Sequence, residues 1–261
     1  LAPRRAISQA QDRPKIPAPM IVTLAKTRAF PLVRRMGDLD EITPGSQPGL
    51  DWREGGVPVS TRFDDPYFSL AGGLAETRHV FLAGNDLPAR LRPGFHIAEL
   101  GFGTGLNCLA LARVAQVPMR MTSFEAFPMA PEQMARAHAA FPELAALAAD
   151  LRAGLSDGTA IRVGAVELQL VIGDARETLP RWQGCADAWF LDGFSPAKNP
   201  EMWSAALMAE VGRHTSPDGS FATYTAAGSV RRALTAAGFA VRRQPGFGTK
   251  RHMIAGRRVP D

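Results

Sequence analysis

The sequence predicts a doubly wound α/β sheet with mostly parallel strands, on three observations. From about residue 95 onward, short apolar runs alternate with helical stretches, the pattern of βαβ units. The first run, 95–100, ends in Gly101-Phe102-Gly103-Thr104-Gly105 and opens directly into a helix. Carboxylates stand at the ends of the following runs, where an open α/β sheet gathers its ligand. A chain of 261 residues, 46% hydrophobic and 21% charged, is long and apolar enough to bury such a domain.

Residues 57–83 supply a small strand or lid segment ahead of the sheet. Residues 95–100 form a strand and 106–117 its helix. A second strand covers 119–124. Pro131 opens a helix to 141, because its fixed φ and missing N–H suit a first turn. Residues 161–172 alternate only partly and suit a strand or a hairpin. The unbroken apolar run 186–191 reads as a buried strand, stopped by Asp192 and Gly193. There follow a helix over 202–214, a turn at Pro217-Asp218-Gly219 and a strand over 220–225. A helix over 229–237, capped by Gly238, leads to closing strands at 239–242 and 252–255.

The net charge of +5 is unevenly placed. Residues 1–36 carry eight Lys/Arg against one acid, whereas the other 225 carry 22 against 24. The end is basic again: Arg231, Arg232, Arg242, Arg243, Lys250, Arg251, Arg257 and Arg258, with no acid between Asp218 and Asp261. Such a patch suits a phosphate backbone, and equally a solvated outer face. Cys108 and Cys185 lie far apart with no CxxC partner. That excludes a disulfide framework and a cysteine zinc site, points to a reducing cytoplasm, and leaves no metal expected. No apolar run approaches the roughly 18 residues of a membrane span, so no membrane partner is expected. Residues 1–48 read as an extension outside the fold, either a start placed upstream of Met20 or Met36 or a transit-type segment.

Glycines let 101–105 take positive φ and approach a ligand closely, and the helix start behind them offers free N–H groups to an anion. The same glycines also suit a purely structural turn. A dinucleotide fingerprint needs glycine three positions after Gly103. Leu106 stands there, which disfavours a nicotinamide oxidoreductase. Glu125 ends the second strand, placed to accept two ribose hydroxyls, and Asp174 follows the third. Asp192 opens the loop 192–203. A carboxylate there can take a proton from an amine before its lone pair attacks, or act as a helix cap or loop anchor.

The pattern acid-x-Gly-x-Gly-x-Gly over 99–105 resembles the first motif of class I S-adenosylmethionine methyltransferases, in which the anion is the methionine carboxylate. A closer likeness runs through FDDPYFS, GLAETRHVFL, GNDLPAR, ELGFGTGLN, SFEAFP, WFLDGFSPAKNPEMW, Ser229 to Arg232 with Gly238-Phe239, and GFGTKR. Together these resemble the methyltransferase domain of the MnmC family of bifunctional tRNA-modifying enzymes, over about residues 50–258.

The resemblance implies a Rossmann-like, mostly parallel seven-stranded sheet with an antiparallel last strand, over 94–261, preceded by a segment at 49–93 of the same domain. It implies methyl transfer from S-adenosyl-L-methionine to 5-aminomethyl-(2-thio)uridine at wobble position 34 of tRNA. The cofactor roles fall to Glu99, Gly101, Phe102, Gly103, Thr104, Gly105, Asn107, Glu125, Asp174 and Ala175, and the amine-facing role to Asp192. Phe194, Lys198 and Asn199 would shape the target pocket, with Lys250 and Arg251 facing tRNA phosphate or the flipped base. Tyr67 and Phe68 would pack over the cofactor or serve as core aromatics. The family's FAD-dependent oxidoreductase half has no counterpart here, so the aminomethyl substrate is expected from another route or a separate oxidoreductase. The alternative is methylation of a small-molecule amine, which would not need the basic end.

Overall fold

The computed structural model describes residues 45–157 and 160–259. The expected extension over 1–48 lies outside them except for its last four residues, as do Met20 and Met36. Strands β1 (Leu50–Arg53), β2 (Val57–Ser60) and β3 (Asp65–Pro66) form a small antiparallel sheet. Helix α1 (Gly73–Thr77) runs on into a π turn over Arg78–Leu82.

The main sheet holds β4 (His96–Leu100), β5 (Met119–Glu125), β6 (Ala160–Val163), β7 (Val166–Ile172), β8 (Ala186–Leu191), β9 (Thr215–Thr223), β10 (Phe239–Pro245) and β11 (His252–Arg258). Its order is β10-β11-β9-β8-β4-β5-β7-β6. Strands β7, β5, β4, β8 and β9 pair in parallel, and β11, the last strand, runs antiparallel between β9 and β10. That is the expected seven-stranded sheet. The partly alternating stretch 161–172 proves to be a hairpin, and its first arm, β6, adds an eighth strand antiparallel to β7.

Both sheet faces are covered, which explains the unbroken apolar runs. Ile97, Met121, Leu168 and Phe190 bury one face with α1, α2 (Leu106–Val114) and α4 (Ala145–Asp157). Leu100, Phe124, Trp189 and Leu191 bury the other with α6 (Ala205–Arg213) and α7 (Gly228–Ala236). Two shorter helices, α3 (Pro131–His138) and α5 (Ala175–Thr178), follow β5 and β7. Val57, Phe68, Leu74 and Phe81 of the 49–93 segment join the first cluster, so that segment is a layer of the same domain.

Three local expectations are corrected. Helix α4 was not foreseen, because its alanine-rich sequence has no strong apolar stripe. The expected helix from 202 begins at Ala205, since Ser204 caps it by accepting from the Leu207 N–H at 3.4 Å; residues 200–203 form a separate 3₁₀ turn. The expected turn at 217–219 is an irregularity within β9, where Asp218 takes φ +60° and the register against β8 shifts.

The packing of α4 on β6 yields a test in which two effects compete. A Cβ on Gly154 would lie 2.2 Å from Ile161 Cγ2, and isoleucine's branched Cβ is stiff. Gly154→Ala gains about 1 kcal/mol of helix propensity and loses about 1–3 kcal/mol to overpacking. A lower unfolding midpoint in urea is expected; a raised one would contradict this packing.

Candidate active site

In this strand order the chain passes from β4 outward through β5 and returns to β8, so a crevice opens where the ends of β4 and β8 diverge. Gly101, Gly103 and Gly105 line its floor at φ +80°, +53° and +75°. A Cβ on Gly101 would lie 3.2 Å from Gly193 Cα, and one on Gly103 would lie 3.0 Å from the Tyr67 ring. Glycine is therefore required twice over, by φ and by close approach. Phe102 and Thr104 are buried. The Thr104 carbonyl accepts from His138 Nε2 at 2.7 Å, while Arg152 donates to His138 Nδ1 at 3.0 Å. Burial holds the His138 pKa below its usual value, so the ring is neutral and fixed in one tautomer.

Of four carboxyl groups at the strand ends, three are pushed above their usual range and one is held below it. Glu125, ending β5, accepts from the Gly103 N–H and the Phe127 N–H, both at 2.8 Å; burial raises its pKa against those bonds. Asp174 caps α5 and is gripped by Arg176, whose hydrogen bonds hold it below the usual range. Ala175, beside it, is buried. Glu99 is wholly buried beneath the loop. It accepts from Asn107 Nδ2 at 2.9 Å and from the Ser123 hydroxyl at 2.5 Å. Burial drives its pKa well above the ordinary carboxyl value, against the Ser123 and Asn107 hydrogen bonds, which favour the charged form. Asp192 accepts from Asn107 Nδ2 at 2.8 Å and from the Gly193 N–H at 2.8 Å. Burial raises it to about 6, with Glu76 adding to the rise and Lys250 opposing it. The Asn107 side chain thus spans Glu99 and Asp192, and its own oxygen accepts from Thr77 Oγ1 at 2.9 Å.

The loop after β8 is bound to the N-terminal segment. Phe194 stacks on Phe63 at 4.7 Å and meets Tyr67 edge-on at 5.0 Å. The Phe194 carbonyl accepts from Trp203 Nε1 at 2.8 Å, and the Ser195 N–H donates to Asp65 at 2.8 Å. The Asn199 N–H donates to the Ser195 carbonyl at 2.8 Å. Lys198 is turned onto the Asp64 carbonyl and carboxylate. On the opposite side, Tyr224 donates to the Gly193 carbonyl at 2.8 Å. Lys250 Nζ lies 2.7 Å from Glu76 Oε1 and 4.2 Å from the Tyr224 ring centre.

The structure therefore gathers the glycine loop, Asn107, Glu125, Asp192, Tyr67, Phe194 and Lys250. Three positions differ from a direct ligand contact. Phe68 is a core aromatic edge-on to Phe141, Glu99 lies below the loop, and the Asp174 carboxylate is engaged by Arg176. Arg251 is exposed on the β10–β11 loop. Sequence reasoning missed Phe63, Glu76, Thr77, Ser123, His138 and Tyr224; Glu76 and Thr77 sit inside GLAETRHVFL, but no spacing marked them.

The donor set fits S-adenosyl-L-methionine. Bare backbone at a helix start suits the methionine carboxylate, Glu125 stands where ribose hydroxyls would need an acceptor, and residues 101–105 carry no basic side chain for a phosphate. Among the described residues no group of three or more His, Cys, Asp or Glu is arranged to hold a metal. No helix among them is long and apolar enough to cross a membrane.

Comparison with known proteins agrees. A family profile described as S-adenosyl-L-methionine-dependent methyltransferase matches residues 142–259. A bifunctional protein MnmC of tRNA 5-methylaminomethyl-2-thiouridine biosynthesis from Pseudomonas paraeruginosa is 48% identical over 224 residues, covering 79% of this chain and 34% of that protein. The protein of the same name from Chromobacterium violaceum is 46% identical with the same coverage. The crystal structure of MNMC2 from Aquifex aeolicus superposes with a TM-score of 0.63 at 26% identity, covering 81% of this chain and 70% of that one. Fold and site together define a class I S-adenosyl-L-methionine-dependent methyltransferase. Within that class the chain is similar to the bifunctional MnmC proteins, and it spans about a third of the length of the curated relatives it matches.

The Asn107 bridge gives the site its test. Asn107→Ala removes the donor shared by the Glu99 and Asp192 carboxyl groups, at a cost of about 1–3 kcal/mol. Urea unfolding should show a midpoint lowered to match; an unchanged midpoint would contradict the bridge.

Proposed function

We propose that this chain transfers a methyl group to the primary amine of 5-aminomethyl-(2-thio)uridine at wobble position 34 of tRNA. The carrying observation is Asp192, a half-buried carboxylate raised to about 6 and held by Asn107 and the Gly193 N–H against the glycine loop. S-adenosyl-L-methionine, when bound, supplies the electrophilic methyl group. The chain's own residues do the rest. The glycine loop and Glu125 hold the cofactor, with Phe102, Thr104, Asp174 and Ala175 shaping its site. Phe194, Tyr67 and Asn199 enclose the amine side. Asp192, ionised above pH 6, accepts the proton of the protonated aminomethyl group and leaves a lone pair free to attack.

The wobble base must leave the anticodon stack to reach such a crevice, at a cost of a few kcal/mol. The basic end supports tRNA over a free amine. Arg232, Arg242, Arg243 and Arg251 are exposed, whereas Arg257 is paired with Asp86 at 2.6 Å. An aminomethyl substrate implies a preceding reaction that exposes a primary amine, and an FAD-dependent oxidoreductase is the partner activity proposed for it. A cytoplasmic location goes with that reading.

Labelled S-adenosyl-L-methionine and tRNA lacking the final methyl group should give methylaminomethyl-uridine on nucleoside mass analysis. Asp192→Asn should lower the rate by about 10²–10⁴-fold. In the wild type the rate should rise with pH through about 6 and then level off, because the protonated carboxyl cannot accept a proton. No tRNA product, or a rate indifferent to Asp192, would overturn the reading.

A further inference from the structure

The Lys250 side chain is held as a ligand would be. Its ammonium nitrogen lies 2.7 Å from Glu76 Oε1 and 4.2 Å from the centre of the Tyr224 ring. A carboxylate and an aromatic face together are how proteins recognise an alkylammonium ion. Both are tied to the catalytic loop. The Tyr224 hydroxyl donates to the Gly193 carbonyl at 2.8 Å, one residue from Asp192. Thr77, next to Glu76, donates to Asn107, which donates to Asp192.

We propose that Glu76, the Tyr224 ring and Asp192 form a seat for the primary ammonium group of the substrate, and that Lys250 occupies it as a stand-in until the substrate arrives. Chemical identity supports this: a lysine head group and a protonated aminomethyl group are both primary alkylammonium ions. So does the asymmetry of the pair. The Glu76 side chain is 12% exposed and fixed on α1, whereas Lys250 is 43% exposed on the loop between β10 and β11. The anion is built in and the cation can leave. A buried carboxylate without a partner is costly, so the stand-in keeps the seat satisfied when empty of substrate. Once displaced, Lys250 reaches solvent beside Arg251, where an incoming phosphate would hold it. In the seat, the substrate ammonium gives one proton to the Asp192 carboxylate and becomes the neutral amine.

This inference rests on the amine-methylating reading, and its test has a readout independent of activity. Ethylammonium chloride is titrated into the full chain and followed by saturation-transfer NMR, with potassium chloride as control. Lys250→Ala and Lys250→Met should bind ethylammonium about tenfold more tightly than the wild type, and Lys250→Ala/Glu76→Gln should lose that gain, as expected for one charge-assisted hydrogen bond. Thermal melts show that each variant is folded, and 5-aminomethyluridine should displace the probe. Equal affinity in wild type and both Lys250 variants, or full binding by the double variant, overturns the seat. Wild-type methylation of tRNA alongside that result leaves the proposed function standing. Ethylammonium binding as expected with no tRNA product supports an amine seat and overturns the tRNA substrate instead.

Discussion

One amide holds this site together. Asn107 Nδ2 donates to Glu99 at 2.9 Å and to Asp192 at 2.8 Å, so a single side chain fixes one buried and one half-buried carboxyl group that would otherwise repel or drift. Their environments push them apart in chemistry. Glu99 lies wholly in the core, which pushes its pKa well above the ordinary carboxyl value, while Asp192, with a backbone N–H at its other oxygen, is pushed up to about 6.

The fold exists around that contact. Glu99 is on β4, Asn107 on the first turn of α2 and Asp192 just past β8, so the bridge crosses the point where the sheet's strand order reverses. Parallel pairing of β4 with β8 sets Glu99 level with Phe190, two residues before Asp192. Glycines at 101 and 193 let the two loops approach to van der Waals distance. Thr77 extends the network to α1, which makes the N-terminal segment part of the site.

Much of this was legible in the sequence, because the strands that carry the site are buried on both faces and end in abrupt Asp-Gly or Gly-x-Gly breaks. The run 186–191 and its terminal Asp192 appear in the structure as read. Glu125 and the glycine loop likewise lie where strand ends put them. What escaped is pairing over long separations: Lys250 meets Glu76 across 174 residues and Tyr224 meets Gly193 across 31, and neither leaves a local pattern. The resemblance has Lys250 facing tRNA phosphate or the flipped base, and a basic residue in a basic segment carries no sign of its partner Glu76. Helix α4 escaped because alanine-rich sequence lacks the apolar stripe that marks an amphipathic helix.

The central claim is that Asn107 and burial divide protonation between Glu99 and Asp192. The direct measurement is a carboxyl-carbon NMR titration of the full chain, with Asp192→Asn and Glu99→Gln to assign the signals. The account expects Asp192 to titrate near 6 and Glu99 to titrate well above the ordinary glutamate value. An Asp192 midpoint near the ordinary aspartate value of about 3.9, with Glu99 at or below the ordinary glutamate value of about 4.3, would contradict it.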